Sequence, residues 1–310
     1  MSQELKRVRR ALAAPLAAGA GAIAGAFTRA MIEAMRVLPR KRAADALGRT
    51  LRRIGPWLPE HRVGRANLAA AFPEKSKAEI EQILSGVWDN LGRYAVELAQ
   101  IDRLTSNDPS RPDDDIVAEP QALERLHRLQ RDRKAALIFA AHLANWELPP
   151  LMAARYGVDA VVLFRPPNIR AIGDAVLKVR ANAMGALIPT SFDAPVKLLR
   201  ALEAGRPVGM LVDQHYVRGV DVMFFGRRCK ANPLIAQLAR HVECPIHGIR
   251  IVRRADHNGF LIELTDPIAP ARDAGGRIDI GGTMQVITTV VEGWVREHPE
   301  QWLWLHRRWR

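Results

Sequence analysis

Beyond residue 117 the chain alternates short apolar runs with stretches of helical periodicity. Residues 135–141, 160–164, 207–212, 245–252 and 260–264 are apolar runs of strand length bounded by turn signals. Such runs read as strands buried on both faces. Between them, residues 121–131, 171–184, 194–204 and 232–242 carry helical patterns. Alternating strands and helices predict an α/β fold with a mixed central β-sheet flanked by helices. The preceding residues 61–105 read as helix-rich, with a helix start at Ser76 and a capping box completed by Glu79. A polar loop with Pro and acidic signals follows at 105–117.

The amino terminus departs from this pattern. Residues 11–27 carry no charge between Arg10 and Arg29, which is the lower limit of a membrane-spanning helix of about 17–25 residues. Ala and Gly dominate the segment. A signal peptide is the competing reading, but residues 30–58 are again basic and amphipathic rather than a clean mature start. Residues 1–29 therefore read as a membrane-associated segment, either spanning or lying in the interface. Residues 30–310 read as a single α/β domain whose part from 30 to 105 is helix-rich.

Charge narrows the partners. The 310 residues hold 46 Lys and Arg against 33 Asp and Glu, a net +13. The first 60 residues alone hold twelve basic against four acidic residues. That bias points to nucleic acid, a membrane surface, or an acidic carrier or substrate. No paired-Cys/His finger, basic zipper or RNA-binding aromatic signature is present, so nucleic acid is excluded as a partner. Cys229 and Cys244 supply neither a disulfide framework nor a four-ligand zinc site, and nothing in the pattern calls for a metal or cofactor.

The stretch AALIFAAHLANWELPP concentrates the candidate chemistry. A strand ends, then His142 and Glu147 follow with four residues between them. In a regular helix such positions do not face each other. They meet if His142 closes the strand and Glu147 opens a helix, a break that Pro149 and Pro150 favour. The carboxylate then holds one imidazole nitrogen and leaves the other to take a proton from an alcohol. Spacing alone leaves open a structural histidine beside a surface glutamate. Asp213 and Gln214 end another apolar run, where α/β sheets present site residues or simply turn.

HLANWE resembles the HX4D/E motif of glycerolipid-type acyltransferases. Its surroundings resemble the lipid A secondary acyltransferases, the lauroyl/myristoyl transferases of the lysophospholipid acyltransferase superfamily. Upstream, RANLAAAFPEKS (Arg65, Asn67) and DNLGRYAVEL (Asn90, Arg93, Glu97) match; downstream come FRPPN, LVDQ, FFG and PEQWLWLHRRWR. The resemblance covers roughly residues 60–310. It implies transfer of a fatty acyl chain from an acyl carrier protein thioester onto a hydroxyl of an anionic acceptor of the Kdo-lipid IVA type. The place it implies is the cytoplasmic face of the cell inner membrane. His142 would be the general base and Glu147 would orient it, without a covalent acyl-enzyme. Arg165, supported by Asn168, would stabilise the oxyanion or hold a phosphate. Asp213, Gln214, Arg307 and Arg308 are further candidates for substrate binding. A relative acting on a phosphatidylinositol mannoside, or on a lysophospholipid with acyl-CoA, would use the same pair.

Overall fold

The computed structural model describes residues 26, 30–105, 115–165, 184–257 and 259–309. Almost all of the apolar segment at 11–27, the expected helix at 171–184 apart from its last residue, and Asn168 lie outside the described residues. No helix among the described residues is long and apolar enough to cross a membrane.

Seven strands form the central sheet: β1 (Ile116–Ala118), β2 (Leu137–Ala140), β3 (Val161–Phe164), β4 (Ala186–Pro189), β5 (Val208–Leu211), β8 (Ile246–Arg253) and β9 (Phe260–Leu264). Their spatial order is β1-β9-β8-β2-β5-β3-β4. Only the β8–β9 pairing is antiparallel; all other neighbours run parallel. Strands β6 (Val220–Phe224) and β7 (Arg227–Ala231) form a separate antiparallel hairpin.

Both faces of the sheet are covered, which is why β2, β3 and β5 read as unbroken apolar runs. On one face Leu137, Phe139, Val208 and Met210 pack with Leu198 of α6 (Ala194–Glu203), Ile235 of α7 (Leu234–His241) and Ile287 of α8 (Ile280–Glu297). On the other, Ala140, Ile249 and Ile262 pack with Leu126 of α4 (Pro120–Asp132) and Leu148 and Met152 of α5 (Leu148–Arg155). Burying each of the leucine, isoleucine, valine, methionine and phenylalanine side chains among these contributes roughly 1.5–3 kcal/mol.

Helices α1 (Arg40–Ile54), α2 (Pro59–Ala71) and α3 (Lys77–Ala99) precede the sheet. The expected capping box opens α3: Glu79 N donates to Ser76 Oγ, and Ser76 N donates to Glu79 Oε2. Helices α1 and α3 touch backbone to backbone, since a Cβ on Gly92 would lie 2.7 Å from the Gly48 backbone. Leu68, Leu84 and Val87 tie this helical part into the first core.

The structure adds elements that the pattern does not reveal. Residues 105–117 were expected to be loop throughout, yet Ile116 begins β1 and pairs with Phe260. Strand β4, the β6–β7 hairpin and α8 were also not expected. The hairpin has no apolar run, because its residues alternate between solvent and core: Val222, Phe224, Cys229 and Ala231 face inward while Asp221, Met223, Arg227 and Arg228 stay exposed.

Candidate active site

Parallel strands β2, β5 and β3 are adjacent, and each ends in a predicted site residue. His142 follows β2, Asp213 follows β5 and Arg165 follows β3. The carboxyl edge of parallel strands is where α/β sheets present ligands and reactive groups.

The orienting carboxylate differs from the one expected. His142 Nδ1 donates to Asp213 Oδ1 at 2.8 Å, and the His142 backbone N–H donates to Asp213 Oδ2 at 2.9 Å. Trp302 Nε1 donates to Oδ2 as well, at 2.7 Å. A carboxylate only accepts, so this geometry puts the imidazole proton on Nδ1 and the lone pair on Nε2. Gln214 Nε2 donates to that lone pair at 3.1 Å. Burial pushes the Asp213 carboxyl up, but attraction to the His142 ring and hydrogen bonds from its ring and backbone N–H outweigh it. Asp213 is thereby held well below the usual carboxylate range.

Glu147 sits elsewhere. It is the N-cap of α5, its backbone N–H donates to Asn145 Oδ1, and its Oε1 accepts from Tyr94 Oη at 3.0 Å. The expected break is present, with Pro149 and Pro150 in the first turn of α5. It turns Glu147 toward Tyr94, so the ring nitrogen assigned to it is taken by Asp213. Trp146 lies between, stacked on Tyr94 at 4.0 Å and tilted against His142 at 5.2 Å.

The turn after β2 is braced from distant parts of the chain. Ala144 adopts φ +48° and its N–H donates to Gln301 O; Leu303 N donates to His142 O. Fully buried Asn145 donates to Glu97, which pairs with buried Arg253. Asn90 accepts from Arg253 Nε and donates to Ala144 O and Gln301 O. Asn67 donates to Trp304 O and His306 O. The segments carrying Asn67, Asn90 and Glu97, and the one carrying Gln301 and Trp302, thus serve the His142 turn.

Other candidates separate. Exposed Arg165 lines the same cavity as His142 and Glu147. Arg307 is exposed. Arg308, expected as a phosphate contact, is 1% exposed; it donates to Lys230 O and lies over the Phe224 ring. Its guanidinium is packing inside the protein and does not reach a solvent-borne phosphate. Trp302 and Trp304 are fully buried core residues.

His306 was not among the expected residues. Its ring lies 6.5 Å from that of His142, and its Nδ1 donates to Leu303 O at 2.7 Å. Burial pushes its pKa down to about 4. The unfolded chain binds a proton there below about 6.5 while the folded chain stays neutral. Stability from this group is therefore full above that pH and is lost as pH falls toward about 4, by ~3 kcal/mol. Denaturant unfolding followed across that window shows this decline, and His306→Asn flattens it. An unchanged pH slope in that variant would remove His306 as its source.

A cavity of about 600 Å³ opens at His142. It runs between the sheet and the layer of α4 and α5, past Ala140, Leu211, Ile138, Gly209, Leu126 and Ala160. Neither cysteine and no serine lines it among the described residues. The arrangement is a lone-pair nitrogen at the mouth of a long apolar slot, suited to deprotonating a hydroxyl beside a bound hydrocarbon chain.

Comparison with known proteins agrees. The family profile described as "Bacterial lipid A biosynthesis acyltransferase" matches residues 20–310. The chain is 23% identical over 261 residues to the "Lipid A biosynthesis palmitoleoyltransferase" of Escherichia coli (strain K12), covering 80% of this chain and 78% of that protein. The same figures relate it to the "Lipid A biosynthesis acyltransferase" of Shigella flexneri. The profile, which spans nearly the whole sequence, places this chain in the bacterial lipid A biosynthesis acyltransferase family.

Proposed function

We propose that the protein moves a fatty acyl group from an acyl carrier protein thioester onto a hydroxyl of an acylated lipid A precursor of the Kdo-lipid IVA type. The observation that carries this reading is the His142 Nε2 lone pair at the mouth of the apolar cavity. The acceptor hydroxyl displaces the Gln214 amide from Nε2 and gives up its proton there. Its oxygen attacks the thioester carbonyl, and the negative charge developing on the carbonyl oxygen is met by the Arg165 guanidinium, a fixed fork of donors. The carbon–sulfur bond then breaks, and the carrier thiolate takes the proton back from His142. Asp213 orients the ring and balances the charge that His142 gains. Glu147, on the same cavity wall, adds negative charge at the mouth and holds the α5 start in place through Tyr94. With no cysteine or serine among the described residues that line the slot, direct transfer is the simplest route.

The surface supports a membrane setting at the cytoplasmic face of the inner membrane. Lys41, Arg42, Arg49 and Arg53 of α1 are exposed and have no carboxylate partner among the described residues. They stand between exposed Val37 and Leu38 on one side and Trp57, 83% exposed, on the other. Cations flanked by apolar side chains suit an anionic lipid interface, and the uncharged stretch at 11–27 adds to that attraction.

Mass spectrometry of lipid A from a strain lacking the gene tests the reading. The expected spectrum lacks one secondary acyl mass, and complementation restores it. A spectrum identical to wild type, in a strain with no second copy of the activity, would overturn it.

A further inference from the structure

Glycine occurs in the interior of two central strands, for different reasons. At Gly248 of β8 an added Cβ would lie 2.6 Å from Phe139 Cζ and 2.8 Å from Trp294 Cη2. Packing on that face therefore demands glycine. At Gly209 of β5 the same Cβ meets only Val162 Cγ2, at 3.7 Å, an ordinary contact. Nor does the backbone require glycine there, since Gly209 is not among the residues with positive φ. Glycine inside a strand weakens it, and where neither conformation nor packing explains it, close approach of a ligand is the remaining cause.

Gly209 lines the slot that begins at His142. The register fixes its depth. Ile138, Gly209 and Val162 form one rung across β2, β5 and β3, with Ala140 and Leu211 two residues above them. Ala140 ends β2 about 7 Å above the Gly209 rung at ~3.3 Å per residue, and His142 lies beyond it in the turn. The cavity continues beneath it, along Pro207, Ala160 and Val158. Gly209 therefore stands at a mid-depth passage, where the missing side chain joins the upper slot to the lower one.

We propose that Gly209 sets the acyl chain length this enzyme accepts, by keeping the lower half of the slot open to the end of the donor chain. This inference rests on the acyl-transfer reading of the same cavity. A leucine at this position would project from a regular strand into the slot and close the passage. An alanine would narrow it by one methyl group.

The experiment measures kcat/KM of the full chain with a series of acyl carrier protein thioesters, octanoyl to palmitoyl, and Kdo-lipid IVA as acceptor. For Gly209→Leu the longest donor used by wild type is expected to lose about 10–200-fold, while the shorter donors keep near wild-type values. Gly209→Ala should move the profile the same way by a smaller amount. Thermal unfolding of each variant accompanies the rates. If Gly209→Leu unfolds, the direction of the Gly209→Ala shift decides. A folded Gly209→Leu with a wild-type length profile, or with an equal loss for every donor, would overturn the proposal. So would a folded Gly209→Ala with no shift when the leucine variant is lost. Failure of the wild-type chain to use any donor would overturn the acyl-transfer reading itself, an outcome visible before any variant is made.

Discussion

His142→Ala is expected to reduce acyl transfer by about 10²–10⁴-fold, down to the background rate, while the protein keeps its fold. The structural side of this prediction follows from the partners that remain. Asp213 still accepts from the residue-142 backbone N–H and from Trp302 Nε1, so the buried carboxylate keeps two of its three donors. The ring contributes two hydrogen bonds, to Asp213 and from Gln214, and a tilted contact with Trp146, none of which ties strands of the sheet together. Single-turnover transfer from a carrier thioester, together with a melting curve, checks both halves. A variant that turns over at the wild-type rate would remove His142 as the general base.

The second large effect is expected at Asp213. In Asp213→Asn the volume is kept, but an amide can present its NH2 to Nδ1 and drive the imidazole proton to Nε2. The base then has no lone pair where the hydroxyl arrives, and a loss of about 10²–10⁴-fold in kcat is expected. Glu147→Gln serves as the comparison. Its carboxylate is bonded to Tyr94 and not to the ring, so its cost in kcat is expected to be smaller. Side-by-side kcat and KM values decide between the two acids. If Glu147→Gln proves the more damaging variant, the orienting role returns to the glutamate of the motif. Asp213→Asn with a wild-type kcat would reduce Asp213 to a packing residue.

These two acids show where sequence stops being informative. The five-residue spacing from His142 to Glu147 identified the motif, and the paired prolines identified the helix start. The pairing of His142 with Asp213 depends instead on β5 lying beside β2, although β3 and β4 intervene in the chain. Strand order of that kind is set by crossover connections and leaves no local signal. Asp213 was legible as a strand-end residue, but its partner was not. Similarly, strands β2, β3 and β5 were visible because their place in the sheet interior keeps them free of polar residues. Strand β1 was hidden by its three-residue length, and the β6–β7 hairpin by its charged outer face. The membrane-contacting reading of residues 1–29 falls almost wholly outside the described residues. Arg308 shows the opposite limit: basic residues beside aromatics look like a phosphate-binding tail, yet folding buries the second of the pair.

The brace around the His142 turn also carries a kinetic meaning. Its hydrogen bonds join Asn67 to His306 and Asn90 to Gln301, over sequence separations of 239 and 211 residues. Contacts of such range close the largest loops in the chain and are slow to form. The turn that carries His142 is therefore expected to take its final shape late in folding. In the reverse direction, loosening of the 299–304 segment is expected to lower turnover before the sheet is lost, which activity and far-UV circular dichroism followed side by side in denaturant would show.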